Sequence, residues 1–344
     1  MLGTKIGIDL GTSTILALVD DRGVKVTEPS VIAYDTFNDK VKAIGRDAYK
    51  MLGRSPDSLT VVRPIKGGAI QDYTAVQQML NYYVQKLCGN RILKPNVIIC
   101  VPSNVTELDK KAVLDLVTDA GAARACVIEE PLAAALGAGV GSAEHKGTMV
   151  VDIGGGTTDI AVITRGCVAA SDSISVAGDT FDEAICRFVR RERDVIIGTV
   201  TAEKVKRQIG AAKFLDAELA VRAVGKDYFS KLPRSIEITS TDVFLCVREH
   251  LEKIVESIKS LMRTIPPELV SDVSRNGIVL TGGSALLRDI DEYIEERTGI
   301  RTECANNPVQ CVVKGIGVML DDMKLLTENG YVFKSIMDAD KYEE

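Results

Sequence analysis

Two stretches of this sequence place the same chemistry-bearing residues at the same spacing: IGIDLGTST at Ile6–Thr14 and VVDIGGGTTD at Val150–Asp159. Each runs from β-branched residues to an Asp, through a glycine turn with Thr or Ser, and into a second apolar run, Ile15–Val19 or Ile160–Ile163. Gly11 in one copy and Gly154, Gly155 and Gly156 in the other allow tight hairpins and bring backbone N–H groups close to an anion. The hydroxyls of Thr12, Ser13, Thr14, Thr157 and Thr158 add donors. Asp9 and Asp152, each ending a first strand, can hold a hydrated Mg²⁺. Two such hairpins facing each other would grip a nucleoside triphosphate from both sides. Three consecutive glycines in a strand pair cost backbone entropy, which makes the second copy the more telling one.

A third glycine turn, Thr281-Gly282-Gly283-Ser284-Ala285-Leu286, follows a strand pattern at Gly277–Leu280 and is predicted to open a helix. Ligands of α/β sheets meet such turns at the carboxyl ends of strands, and glycine there lets a flat purine or a ribose lie against the backbone. A plain strand–helix turn has the same composition. Glu129-Glu130-Pro131 stands before an Ala-rich helix. Acidic residues and Pro favour the first turn of any helix; a carboxylate there can also orient water for in-line attack on a γ-phosphate. Spacing alone leaves both readings open.

These residues need a scaffold. Lys5–Ile8, Ile15–Val19 and Gly23–Thr27 read as a strand meander, with Val97–Val101 and Ala125–Ile128 as further strands. Apolar spacing predicts helices at Thr74–Leu87, Glu107–Ala120 and Pro131–Gly139. After a loop at Gly141–Gly147 the plan repeats, with helices at Gly178–Arg193, Thr201–Ala211 and Thr241–Met262. A strand pair is predicted at Ala217–Val224 and Ser235–Ile238, and a closing helix over Val312–Met319. The stripe of Val243, Cys246, Val247, Leu251, Ile254, Val255, Ile258 and Leu261 reads as core. Strands alternating with helices in both halves predict two α/β domains with a cleft between them.

Composition agrees: 344 residues suggest about two domains at roughly 150 residues each. A net charge of −6 lacks the basic footprint of nucleic-acid binding, so no nucleic-acid partner is expected. Met1–Lys5 is too short for an apolar signal segment, and no apolar run reaches the ~20 residues of a membrane span. The eight cysteines are scattered without a C-x-x-C pair, predicting buried free thiols in a reducing cytoplasm.

Together with VIEEPLAAALGAG, AGDTFDEAI, TAEKVKRQIG and IVLTGGSALL, the two hairpins resemble the motif set of the actin/hexokinase/heat-shock ATPase superfamily. Within it, TEPSVIAY, RPIKGGAIQDY, CVPSNVTELDKKAV and PPELVSD extend a resemblance to the MreB/Mbl family of bacterial actin homologues from Ile6 to about Gly317. That resemblance implies an α/β, actin-like ATPase fold: two duplicated ribonuclease-H-like domains, four subdomains in all, around a nucleotide cleft. It implies a first domain over 1–145 with a small insert at about 33–65, and a second over 146–320 with an insert at about 181–240. The segment 321–344 is expected to pack back on the first domain, with a frayed end. ATP or ADP with Mg²⁺ are the implied ligands, with slow ATP hydrolysis coupled to polymerisation. The implied partners are further copies of the chain in paired protofilaments, the inner face of the cell membrane and the membrane proteins of cell-wall elongation. The implied location is cytoplasmic, peripheral at the inner membrane surface, and the implied role is to organise cell-wall synthesis and rod shape.

Carried over motif by motif, Gly11, Thr12, Ser13 and Thr14 bind phosphates from one hairpin, and Gly154, Gly155 and Gly156 bind them from the other. Asp9 and Asp152 hold Mg²⁺ through its waters, and Glu130 positions the attacking water, helped by Thr157 or Thr158. Glu203 and Lys206 hold ribose and adenine, and Gly282, Gly283, Ser284 and Ala285 close over the nucleotide. Family members often carry a small hydrophobic loop in the first subdomain, which Asn90–Pro95 matches. Ile92 and Leu93, flanked by Arg91 and Lys94, are therefore expected at an anionic membrane surface; packing under the next strand is the alternative. Three positions depart from the family pattern: Thr14 stands where Asn is usual, Asp159 where Glu is, and Ser284 where a third Gly is. They bear most on the rate of hydrolysis. An actin-fold chaperone or reactivase ATPase, or a small-molecule kinase using Glu130 as base, would share the same residues without polymerising.

Overall fold

The computed structural model describes residues 3–20, 22–89, 93–140 and 146–322, with 326, 327, 330, 331 and 333–335 beyond them. The chain opens with β1 (Lys5–Leu10), β2 (Thr14–Val19) and β3 (Gly23–Pro29). Next come β4 (Ile32–Asp35), β5 (Val41–Ile44), α1 (Arg46–Met51), β6 (Leu59–Val62) and the short pair β7 (Ile65–Lys66) and β8 (Ala69–Ile70). Then α2 (Tyr73–Cys88), β9 (Asn96–Val101), α3 (Glu107–Asp119), β10 (Arg124–Glu129) and α4 (Glu130–Gly137) complete the first half.

The second half runs β11 (Thr148–Ile153), β12 (Thr158–Thr164), β13 (Cys167–Ile174), α5 (Gly178–Arg193), β14 (Val195–Ile196) and α6 (Thr199–Ile209). It continues through β15 (Ala220–Asp227), β16 (Pro233–Thr239), α7 (Ser240–Thr264), α8 (Pro267–Asn276) and β17 (Ile278–Thr281). A 3₁₀ turn at Gly283–Leu286, α9 (Ile290–Thr298), β18 (Thr302–Cys304), α10 (Cys311–Asp321) and β19 (Lys334–Ser335) end it.

The two main sheets repeat one topology. Along the first, strands lie in the order β3-β2-β1-β9-β10, with β19 added at the β10 edge; along the second they lie β13-β12-β11-β17-β18. In each, an antiparallel meander of three strands continues into parallel strands, β1 beside β9 and β11 beside β17. Strands β9 and β11 are buried at every residue, as central strands covered on both faces must be. The expected α/β, actin-like duplication is thus present in the sheet order itself.

Helices α4 and α10 lie between the halves and let backbones touch. A Cβ on Gly137 would stand 2.6 Å from the Cys311 carbonyl carbon, and one on Gly315 2.6 Å from that of Ala133. Around them Leu16, Ile98 and Ile128 of the first half pack in one cluster with Val150, Ala161 and Ile163 of the second. The cleft therefore has a rigid floor, and only its upper walls come from separate elements. Those walls are the three-stranded sheet β5-β4-β6 with α1, and the sheet β14-β15-β16 with α5 and α6. At the chain's end Lys334 pairs with Ala125 on β10, and Tyr331 hydrogen-bonds Glu129.

Some elements differ from the sequence reading. The strand expected at Ala217–Val224 forms at Ala220–Asp227. The helix expected after Thr281 is only the 3₁₀ turn, because Leu287 turns extended and Asp289 adopts a left-handed conformation at φ 58°. Helices α8 and α9 and strands β13 and β18 are elements that the sequence reading does not include. All eight cysteines are free, and Cys100, Cys126 and Cys311 are buried, but Cys167 and Cys304 are exposed, contrary to a uniformly buried set.

Candidate functional site

A cavity of about 430 Å³ opens between the halves, directly above the hairpins β1–β2 and β11–β12. That lies within the usual range of small-molecule sites, about 300–1,000 Å³. The turns face each other at contact distance: a Cβ on Gly155 would stand 2.6 Å from Ser13 Cβ, and one on Gly156 2.8 Å from Thr12 Cβ. Neither glycine can carry a side chain without pushing the hairpins apart. Each turn is braced from behind. Ser30 Oγ donates to the Gly11 carbonyl at 2.7 Å, and the Gly154 carbonyl accepts from Ser284 Oγ at 2.7 Å and from the Gly178 N–H at 3.3 Å.

Asp9 and Asp152 end their strands at the cavity wall and are almost wholly buried. Burial, and then the charge of Asp152, push the Asp9 carboxyl up to about 8. Burial also raises Asp152, to about 7, against the lowering effect of the Thr281 hydroxyl, which donates to it at 2.7 Å. Glu130, the first residue of α4, is raised well above its usual range by burial and by the charges of Asp159, Asp9 and Asp152. Three buried acids brought together at one cavity wall are what a cation would relieve. Among the described residues no group of three or more His, Cys, Asp or Glu side chains could hold a metal by itself. The donor set therefore fits a hard cation held through waters and phosphate oxygens, as Mg²⁺ usually is.

The structure separates the two glutamates. Glu129 turns away, paired with Lys110 at 3.1 Å and hydrogen-bonded by Tyr331, while Glu130 faces the cavity. Of the sequence-expected residues, Asp9, Gly11, Thr12, Ser13, Thr14, Glu130, Asp152, Gly154, Gly155, Gly156, Thr157, Glu203, Lys206, Gly282, Gly283 and Ser284 all line it. Two do not. Successive strand residues face opposite ways, so Thr158 lies behind the wall and spends its hydroxyl on the Val176 carbonyl at 2.6 Å. Ala285 packs into the core of the second half. Of the membrane candidates, Leu93 is 57% exposed, and Ile92 lies outside the described residues.

Other lining residues had no assigned role: Gly68, Pro102, Asp179, Asp182 and the apolar wall of Leu286, Leu287, Pro308, Val309 and Val312. The motif AGDTFDEAI contains both aspartates, so a signal for them existed; the apolar wall has no periodicity to mark it. Lys206 is fixed at the cavity's edge by the Gly178 carbonyl at 2.6 Å and Asp182 at 2.9 Å.

Residues 3–328 match the model of the MreB/Mbl protein family. The cell shape-determining protein Mbl of Bacillus subtilis (strain 168) is 41% identical over 330 residues, covering 95% of this chain and 98% of that protein. The crystal structure of MreB5 of Spiroplasma citri bound to ADP superposes with a TM-score of 0.91 at 35% identity, over 96% of this chain and 99% of that one. The same protein bound to AMPPNP gives 0.90 at 36% identity, with the same coverage. The MamK double helical filament shares the fold, at a TM-score of 0.80 and 21% identity over 93% of this chain and 99% of that one. By the family match over residues 3–328, and by the fold that carries the paired hairpins, this chain belongs to the MreB/Mbl family of actin-like proteins.

Proposed function

We propose that this chain binds ATP with Mg²⁺ in the cavity, hydrolyses it slowly, and assembles into filaments at the inner membrane surface that organise cell-wall synthesis and rod shape. The observation that carries the reading is the pair of glycine turns meeting across the cleft beneath three buried acids. The hairpin amides, with Thr12, Ser13, Thr14 and the turn Gly154–Gly156, cradle the phosphates. Asp9 and Asp152 would hold Mg²⁺ through its waters, and the ion would supply the positive charge that the crowded carboxylates and the phosphates lack. Glu130 orients the attacking water, with Thr157 beside it. Glu203 and Lys206 receive ribose and adenine between the Gly282–Ser284 turn and the apolar wall.

Relatives crystallised with ADP and with AMPPNP support the nucleotide, and the MamK filament supports self-association. Leu93 is a candidate lipid contact; a filament repeats it along its length, so weak single contacts add. Neither the kinase nor the chaperone alternative is favoured by relatives described as cell shape-determining. The test is electron microscopy and sedimentation of the purified chain with Mg–ATP, on and off anionic vesicles, alongside Glu130→Ala. Filaments that form in both proteins, with phosphate release at least about 100-fold slower in the variant, are expected for loss of a water-positioning group. Absence of polymer in every nucleotide and salt condition would overturn the filament reading. Parental phosphate release by Glu130→Ala would remove that residue's role.

A further inference from the structure

The upper walls of the cleft meet at one small cluster. Tyr49, on α1, and Arg63, just after β6, belong to the first half; Glu203 and Arg207, on α6, belong to the second. Tyr49 Oη donates to Glu203 Oε2 at 2.8 Å, and the Arg63 guanidinium stands 3.9 Å from the same oxygen. Arg63 also lies over the Tyr49 ring, 5.7 Å from its centroid, so the two first-half side chains brace each other. Arg207 approaches the other oxygen, Oε1, at 3.7 Å. Glu203 and Arg207 line the cavity, whereas Tyr49 and Arg63 do not. One carboxylate at the nucleoside end is thus held from the far side of the cleft by groups that do not reach the ligand space.

We propose that Tyr49 and Arg63 are positioning residues for Glu203, holding its carboxylate from the opposite half so that ribose recognition and closure of the cleft become one event. This rests on the reading that the nucleoside sits at Glu203. Tyr49 fixes Oε2 by a hydrogen bond to a carboxylate acceptor, the stronger class of such bonds, and Arg63 and Arg207 flank the two oxygens at 3.9 and 3.7 Å. Oε1, which neither first-half group touches and which Arg207 approaches at 3.7 Å, is left to accept from a ribose hydroxyl. The ion pair at 3.9 Å is partly exposed and adds little by itself; the tyrosine hydroxyl carries most of the effect. By linkage, a nucleotide that binds better to the held carboxylate also favours the closed cleft.

The test is titration calorimetry of the full chain with Mg–ATP and Mg–2′-deoxy-ATP, for the parent, Tyr49→Phe, Glu203→Gln and the double variant. Tyr49→Phe keeps the ring and its stacking with Arg63, so folding is preserved. We expect it to weaken ATP on the order of 10-fold while weakening deoxy-ATP less, so that discrimination falls; this is the scale of losing a hydrogen bond to a charged group. In the Glu203→Gln background the same change should cost little more. Unchanged discrimination in Tyr49→Phe, or additive losses in the double variant, would overturn the positioning role alone. Glu203→Gln binding both nucleotides like the parent would overturn the nucleoside assignment as well.

Discussion

Hairpins β1–β2 and β11–β12 share one plan of strand, Asp, turn and strand, yet the first fills its turn with Thr12 and Ser13 while the second leaves Gly155 and Gly156 bare. The turns touch, and the side chains of one occupy the room the other leaves. A second difference lies across the strands: Asp9 is paired with Leu16, but Asp152 is paired with Asp159. Leu16 joins the shared core beneath the cleft. Asp159, wholly buried, accepts the Ser103 N–H of the opposite half at 2.9 Å, and its charge is felt by Glu130. The copies are therefore not interchangeable. One brings hydroxyls, and the other brings bare backbone and a further acid beside the proposed water-positioning residue.

The sharpest way to break that complementarity is to fill the bare turn. Gly156→Ala sets a methyl group 2.8 Å from the Thr12 Cβ, which sits next to the backbone and cannot swing aside. Overpacking of this kind costs about 1–3 kcal/mol. If it falls on the closed state, ATP should bind about 5- to 150-fold more weakly by calorimetry. Pairing it with Thr12→Gly moves the side chain from one copy to the other, and part of the affinity should return relative to the sum of the two single losses. Strict additivity would show that the turns do not compete for the space.

A smaller effect tests the second difference. Asp159→Asn keeps an acceptor for the Ser103 N–H but removes the charge beside Glu130. Phosphate release should slow about 10-fold, less than for Glu130→Ala because Asp159 does not line the cavity and acts through its neighbour. ATP affinity should stay at the parental value. A parental rate of release would mean that Asp159 serves only to bind Ser103, and that the copies differ in structure but not in chemistry.

Most of this comparison was legible in the sequence, and the limits have physical causes. The repeated Asp–glycine spacing announced the hairpins because phosphate cradles demand particular backbone freedom at particular residues. The long stripe of α7 announces a core helix, and Val243, Val247, Leu251, Ile254, Val255, Ile258 and Leu261 are buried while Cys246 is half-buried. Spacing alone does not tell Glu129 from Glu130, and only the family resemblance names Glu130, since which one faces the cavity depends on Lys110 and Tyr331, residues from elsewhere in the chain. Thr157 and Thr158 are likewise alike in sequence, and only the strand's facing separates them. Pro308, Val309 and Val312 became a wall through the path of the chain after β18, which no local pattern encodes.

The smallest expected effect separates the two strand-end aspartates themselves. Both carboxyls are raised by burial, Asp9 to about 8 and Asp152 to about 7, from an ordinary value of 3.8. A raised acid favours folding in its protonated form. Its contribution is complete below pH 3.8 and is lost as pH climbs through about 7 to 8. The nucleotide- and Mg²⁺-free chain should therefore melt at a lower temperature at pH 8.5 than at pH 6, as followed by circular dichroism. Asp9→Asn should flatten that slope more than Asp152→Asn, because the Thr281 hydroxyl already relieves the second copy. Mg–ATP, which favours the charged acids, should flatten it in the parent. Equal slopes in both variants would mean that Thr281 does not set the two copies apart, and the electrostatic half of the comparison would fail while the steric half stood.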